Sequence, residues 1–234
     1  MIDLTEYRKN GYQMLRSVVP NHIVEDIAVF LEDELASLKR QSPGDAAEES
    51  LRIGHFPVSS RLNPRVIKAV QAPRLREILH HVFASENLRM HMPPMARFIL
   101  PDSTTAPVPA HQDFHYNPHL KRFVIMWIPL MDIDHRCGGV TMFKGSKDAD
   151  IPDAPVGLKS NVLEVPTDAY DAVDCVPMQA GDALLFTDRV IHRSMPNTSE
   201  KVRLSLDFRF FSEEVTSTKH YLDMSTFHVY SADS

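Results

Sequence analysis

The chain has 234 residues, of which 43% are hydrophobic and 24% are charged, and its formal net charge at pH 7 is −6. A chain of this length can bury the core of one ordinary globular domain. The acidic balance, without a basic patch, argues against a nucleic-acid partner, and no apolar run approaches the ~20 residues of a membrane span.

The N-terminus has no apolar segment of the kind found in secretory signal peptides. The two cysteines, Cys137 and Cys175, have neither the spacing of a metal site nor the pattern of a disulfide framework. We therefore expect a cytoplasmic protein without a membrane partner, and the sequence leaves its oligomeric state open.

About the first 85 residues are predicted to be helical. Val24, Ile27, Leu31 and Leu35 recur at steps of three and four residues, which is the stripe of an amphipathic helix. A second helical pattern covers residues 64–83. These helices are expected to flank the remainder of the domain.

From about residue 88 to residue 211 the sequence changes to short apolar or alternating runs separated by turn residues. Strands are predicted at residues 89–100 (as one strand or two), 110–116, 122–131, 140–144, 183–187, 190–194 and 202–211. Many short strands at this spacing predict a mainly β fold with flanking helices, a double-stranded β-helix of the jelly-roll or cupin-like type. Residues 1–234 then form a single domain.

Residues 146–177 lack a clear strand period and are rich in aspartate. A long irregular segment inside a compact domain is often a lid or a binding loop, so we treat this segment as a candidate lid. Its acidic residues favour a cationic or polar substrate, although a solvated surface loop would have the same composition.

A histidine and an aspartate are separated by one residue in the predicted strand at 110–116. Alternate strand residues share a face, so His111 and Asp113 are expected to point the same way. His192 follows a predicted buried strand and offers a second imidazole. Two histidines and one carboxylate are typical of non-haem Fe(II) oxygenases.

The next predicted strand carries Arg203 and Ser205 on one face. A turn composition at residues 196–199 predicts a hairpin that returns this strand past His192. A guanidinium binds a carboxylate bidentately and a hydroxyl adds a donor, so this pair is suited to the distal carboxylate of 2-oxoglutarate. Fe(II), 2-oxoglutarate and O2 are therefore the expected cofactor and cosubstrates.

Residues near the predicted metal strand are candidates for contact with the substrate. His115 would be in phase with His111 and Asp113, and Tyr116 follows it. Such polar groups either orient a ligand or lie at a pocket mouth without a role. Arg97 and Arg122 are weaker candidates.

Several segments of the chain together resemble the phytanoyl-CoA dioxygenase family of Fe(II)/2-oxoglutarate-dependent oxygenases. They include Ala110-His111-Gln112-Asp113 and also residues 7–12, 123–132, 138–147 and 181–205. The resemblance implies that His111, Asp113 and His192 hold iron and that Arg203 binds 2-oxoglutarate. It also implies that Trp127 lies near the cosubstrate.

The expected function is a dioxygenase that hydroxylates a small-molecule metabolite and releases succinate and CO2. Halogenation is not expected, because Asp113 stands where related halogenases have a small residue. No basic cluster suits coenzyme A phosphates, so an acyl-CoA substrate is not supported. The alternatives are a jelly-roll isomerase or hydrolase that uses Zn²⁺ or Mn²⁺, and a non-catalytic binding module on the same scaffold.

Overall fold

The computed structural model describes residues 2–41, 46–102, 108–117, 119–120, 122–149, 166–215 and 217–231. Six α-helices precede the larger part of the β structure. They are α1 (Thr5–Asn10), α2 (Asn21–Arg40), α3 (Ala46–Ile53), α4 (Val58–Arg61), α5 (Pro64–Lys68) and α6 (Pro73–Phe83). No helix among the described residues is both long enough and apolar enough to cross a membrane.

The long helix α2 forms because its apolar residues repeat at helical spacing. Its buried side chains are Ile23, Val24, Ile27, Leu31, Leu35 and Leu38. They join residues of α5, α6 and one face of the main sheet in a single hydrophobic core. This packing fixes the helical layer against the sheet.

Eleven strands are described. They are β1 (Tyr12–Leu15), β2 (Leu88–His91), β3 (Met95–Ile99), β4 (Val124–Pro129), β5 (Val140–Lys144), β6 (Asp171–Asp174), β7 (Ala183–Thr187), β8 (His192–Ser194), β9 (Arg203–Ser212), β10 (Tyr221–Asp223) and β11 (Val229–Tyr230). The main sheet has the order β1-β7-β4-β9-β2-β10-β11, with β3 also paired to β9, and the smaller sheet has the order β6-β5-β8. The strand pairs are antiparallel.

The central strand β9 separates two different environments. Its residues Leu204, Leu206, Phe208 and Phe210 belong to the core shared with the helices. The alternate residues Arg203, Ser205, Asp207 and Arg209 therefore point to the opposite face. On that face a second core joins strands of the main sheet to Val140 and Met142 of β5, so the polar row of β9 lies between the two sheets.

The predicted fold class is confirmed: two antiparallel sheets with flanking helices form a jelly roll. Strands at 122–131, 140–144, 183–187 and 202–211 correspond to β4, β5, β7 and β9, and the run at 89–100 divides into β2 and β3.

Other details differ from the sequence prediction. The helical N-terminal part contains β1, which pairs with β7, and β10 and β11 extend the main sheet beyond residue 211. The candidate lid contains β6, an edge strand of the smaller sheet. Residues 150–165 of that segment lie outside the described residues.

Candidate metal centre and adjoining cavity

His111 and His192 are brought together by backbone pairing. The backbone N–H of each residue donates to the carbonyl of the other at 3.0 Å, and the two imidazole centroids lie 4.2 Å apart. Gln112 is extended, so Asp113 returns to the side of His111. Possible ligand atoms of the three residues all lie within 4.8 Å of one another. His111, Asp113 and His192 are all buried, with exposed fractions of 7%, 2% and 8%.

Backbone carbonyls orient both imidazole rings. Nδ1 of His111 lies 2.8 Å from the carbonyl oxygen of Pro109, and Nδ1 of His192 lies 3.0 Å from that of Val190. A carbonyl oxygen can only accept a hydrogen bond, so each Nδ1 carries the proton. In a neutral ring this tautomer leaves the lone pair on Nε2, which is the arrangement of a metal-binding histidine.

The carboxylate of Asp113 uses its two oxygens differently. Nη2 of Arg209 donates to Oδ1 at 3.1 Å, whereas Oδ2 is buried and has no hydrogen-bond partner among the described residues. Burial raises the pKa of Asp113, but the Arg209 charge and the two histidines outweigh it and hold that pKa below its usual range. Asp113 is therefore ionised and offers one free oxygen.

The charge state of His111 also suits a ligand. Burial, together with the neighbouring His192, lowers the pKa of His111 to about 3, so the ring is neutral at neutral pH. Two imidazole nitrogens and one carboxylate oxygen form the donor set of a two-histidine, one-carboxylate facial triad, and they fit Fe(II).

Arg203 is 1% exposed and lies at the start of β9. Its Nη1 donates to the carbonyl of Gly139 at 2.8 Å, and its guanidinium carbon lies 5.6 Å from the Trp127 ring centroid. Burial lowers the pKa of Arg203 to about 10, which leaves it charged at neutral pH. Within the described ranges no carboxylate lies within 4 Å of it.

A buried cation without a counter-ion is costly. The surroundings of Arg203 therefore fit an anionic ligand such as the distal carboxylate of 2-oxoglutarate. Ser205 is buried on the same face of β9, two residues further on.

The predicted strand at 110–116 is wrong, because His111 forms only an isolated bridge with His192 and Asp113–Tyr116 is a turn of 3-10 helix. The strand phase expected for His115 is therefore lost. Its ring packs on Phe114 at 3.8 Å between centroids. Tyr116 packs against His111 at 5.2 Å between centroids, and it lines the cavity beside the three candidate ligands, whereas His115 is not among the lining residues.

This cavity has a volume of about 540 Å³, which is large enough for a small metabolite. His111 and Asp113 form part of its wall, together with His55, Arg61, Arg97 and Arg209. Of the two weaker candidates, Arg97 lines the cavity and Arg122 does not.

Sequence reasoning missed Arg209, although it stands in phase with Arg203 and Ser205 on β9. It also missed His55 and Arg61, which come from the helical region and carry no local signal.

Comparison with known proteins agrees with this geometry. The profile of the phytanoyl-CoA dioxygenase family (PhyH) matches residues 7–205. The 1-deoxypentalenic acid 11-beta-hydroxylase of Streptomyces exfoliatus is 25% identical over 227 residues, which span 87% of this chain and 78% of that protein.

Two solved structures share the fold. The apo form of the non-heme monooxygenase ThoJ superposes with a TM-score of 0.68 at 19% identity, covering 93% of this chain and 80% of ThoJ. The epimerase SnoN in complex with Fe3+, alpha ketoglutarate and nogalamycin RO gives a TM-score of 0.67 at 20% identity, covering 88% of this chain and 81% of SnoN.

Proposed function

Since this chain belongs to the phytanoyl-CoA dioxygenase family and is an Fe(II)- and 2-oxoglutarate-dependent oxygenase, we propose that it hydroxylates a small-molecule metabolite at the centre formed by His111, Asp113 and His192. Succinate and CO2 are the expected coproducts. The observation that carries the proposal is the buried triad itself, whose ligand atoms lie within 4.8 Å of one another. The hydroxylase from Streptomyces exfoliatus supports hydroxylation as the outcome.

In this proposal Nε2 of His111, Nε2 of His192 and Oδ2 of Asp113 bind the iron. The carbonyls of Pro109 and Val190 hold the two rings by their Nδ1 protons, so neither ring needs to turn when the metal binds. When bound, the iron supplies the activation of O2, with 2-oxoglutarate as the source of electrons.

We assign the distal carboxylate of 2-oxoglutarate to Arg203 and Ser205. The Gly139 carbonyl fixes one arm of the guanidinium, and the Trp127 ring lies beside it. This arrangement orients the cosubstrate before the reaction, so little freedom is lost at the reacting end. Trp127 is thus a wall of the cosubstrate site.

The substrate is assigned to the cavity of about 540 Å³ beside the triad. Tyr116 contacts the edge of this space, and we retain it as a substrate contact; His115 has weaker support. No nucleic-acid or membrane partner is proposed. The two buried free cysteines support a reducing cytoplasmic location.

Succinate release from 2-oxoglutarate, assayed with a panel of small metabolites, tests this function. Asp113→Ala and His192→Ala are each expected to abolish release, while His22→Ala, an exposed position on α2, should leave it unchanged. Retained turnover in either triad variant would remove that residue from the metal site.

A further inference from the structure

The cavity beside the triad carries an excess of positive charge. Its lining includes Arg52, Arg61, Arg97 and Arg209, against the carboxylates of Glu49 and Asp113. Two of these arginines are neutralised locally: Arg52 pairs with Glu49 at 2.6 Å, and Arg209 pairs with Asp113 at 3.1 Å. Arg61 and Arg97 have no carboxylate within 4 Å among the residues that the structure describes.

Arg61 is held in the cavity wall by uncharged groups. It ends α4, and its Nη1 contacts the carbonyl of Pro94 at 3.4 Å and Sδ of Met95 at 3.0 Å. Its Nε is buried and has no hydrogen-bond partner within the described part of the chain. The guanidinium therefore keeps donors that no described acidic group uses.

Arg97 approaches the same region from β3. Met95 and Arg97 share a face of this strand, since they lie opposite Asp207 and Ser205 of β9. An isolated bridge also joins Arg97 to His55, whose side chain lines the same cavity. Arg61 therefore contacts β3 at Met95, two residues before Arg97 and on the same face of the strand.

Two cations in one partly dehydrated cavity are unfavourable unless an anion joins them. Burial first, and then the charges of Arg97 and Arg209, lower the pKa of Arg61. The carboxylates of Asp207 and Asp113 offset part of the Arg97 charge, but both also face Arg209. His55 is not acidic and adds no compensation. An anionic ligand group would satisfy the open donors and remove the repulsion.

We propose that the substrate of this oxygenase carries a negatively charged group, a carboxylate or a phosphate, which Arg61 and Arg97 bind. This inference rests on the proposed function, because it concerns the substrate of the same centre. The anionic end would be fixed on the two arginines, while the rest of the molecule lies toward His111 and Asp113. Arg203 does not line this cavity, so the two anion sites are separate.

The acidic residues of the candidate lid predict a cationic or polar substrate. The cavity beside the triad instead has an excess of positive charge. Asp148, Asp168, Asp171 and Asp174 are the aspartates of that segment within the described residues, and none of them lines this cavity. The walls that the structure describes are suited to an anion.

Four fluorescent probes that share one ring system test the inference. They are 2-naphthoate, 2-naphthyl phosphate, neutral 2-naphthamide and cationic 2-naphthylmethylammonium, titrated anaerobically into protein loaded with Fe(II) and saturating 2-oxoglutarate. The cosubstrate fills the Arg203 site, so the probes report the cavity. At least one anion should bind about tenfold or more tightly than the amide, the cation should bind most weakly, and the preferred anion identifies carboxylate or phosphate.

Arg61→Gln and Arg97→Gln are each expected to reduce the anion affinity about tenfold without changing the affinity for 2-oxoglutarate. Arg61→Lys should retain part of the anion affinity, and Arg65→Gln, an exposed control on α5, should retain all of it. Equal affinity for acid and amide, or no binding of either anion, would overturn the proposal. So would a loss of 2-oxoglutarate affinity in Arg97→Gln, which would assign that residue to the cosubstrate. If wild-type protein forms no complex with 2-oxoglutarate, the proposed function itself fails, which is a separate result.

Discussion

Arg209 donates from Nη2 to Oδ1 of Asp113 at 3.1 Å, and this contact leaves Oδ2 as the open oxygen of the carboxylate. The same nitrogen lies 3.8 Å from Oδ1 of Asp207. Asp113 begins a short 3-10 helix, so its side chain depends on this contact with the sheet for orientation. Arg209 is therefore a positioning residue for the candidate metal centre.

Replacing Arg209 with Gln should lower Fe(II) affinity about 10- to 100-fold, because a metal-binding carboxylate loses its outer partner. Arg209→Lys should keep the charge but lose the planar fork, so its Fe(II) affinity should lie between those of wild type and Arg209→Gln. Competition with a chromophoric chelator measures the affinity. Unchanged iron binding in Arg209→Gln would show that Asp113 holds its position without this contact.

Replacing Arg203 with Gln should raise the 2-oxoglutarate concentration required for half-maximal turnover by about 30-fold or more, since a buried charged partner is lost. Iron affinity should stay unchanged, because Arg203 is not among the three candidate ligands. Trp127→Phe should have a smaller effect, as it retains a ring beside the guanidinium. Titration of succinate release against 2-oxoglutarate measures both; equal requirements in wild type and Arg203→Gln would exclude the anchor role.

Gly138 allows a close approach that a side chain would prevent. Its φ is +76°, and an added Cβ would lie 2.3 Å from the carbonyl oxygen of Pro196. Gly138→Ala should lower the free energy of unfolding by more than about 1 kcal/mol and weaken 2-oxoglutarate binding, because the next residue holds Arg203.

Gly145 is the matched control for this substitution. Its φ is +90°, but an added Cβ would have its nearest neighbour, in Tyr170, at 3.9 Å. Gly145→Ala therefore has the strained backbone without the collision, and chemical denaturation should show a smaller loss. Equal losses in the two variants would mean that backbone conformation alone accounts for the effect.

His55 should make the stability of the protein depend on pH. Burial, with repulsion from Arg97, lowers its pKa from 6.5 to about 3, so between these values the unfolded chain binds a proton that the folded protein does not. Stability is then lost as the pH falls from about 6.5 toward 3. His55→Asn should reduce the loss between pH 7 and pH 5 by about 1 to 2 kcal/mol, measured by urea unfolding at both pH values.

His22→Asn, an exposed histidine on α2, controls for the substitution itself and should leave the pH dependence of wild type intact. An identical dependence in His55→Asn and wild type would mean that His55 titrates normally in the folded protein.

The parts of the fold that the sequence predicted are those whose signal is local. The apolar run at β4 and the alternation along β9 are sufficient to predict strands, and one intervening residue places His111 and Asp113 together. Helix α2 likewise follows from the spacing of its apolar residues. In these elements local preference and tertiary packing agree.

The parts that the sequence did not predict depend on distant partners. The four residues of β1 form a strand because they pair with residues 183–186 of β7, and nothing within β1 indicates this. His111 has a single bridge, to His192, so the backbone is free to turn into a 3-10 helix at Asp113. Arg61 reaches the cavity because α4 packs beside β3, and the hydrophobic periodicity of the sequence does not indicate this packing.

Joint binding of Fe(II) and 2-oxoglutarate at the site of His111, Asp113 and His192 is the property on which the proposed function depends. Anaerobic titration of metal-free protein with Fe(II) and then 2-oxoglutarate tests it through the weak visible charge-transfer band of the chelated keto acid. Wild type should develop the band, His192→Ala should not, and Arg203→Gln should need more 2-oxoglutarate to reach it. Iron binding without the band in wild type would contradict joint binding of the two and favour a metal-dependent isomerase or hydrolase.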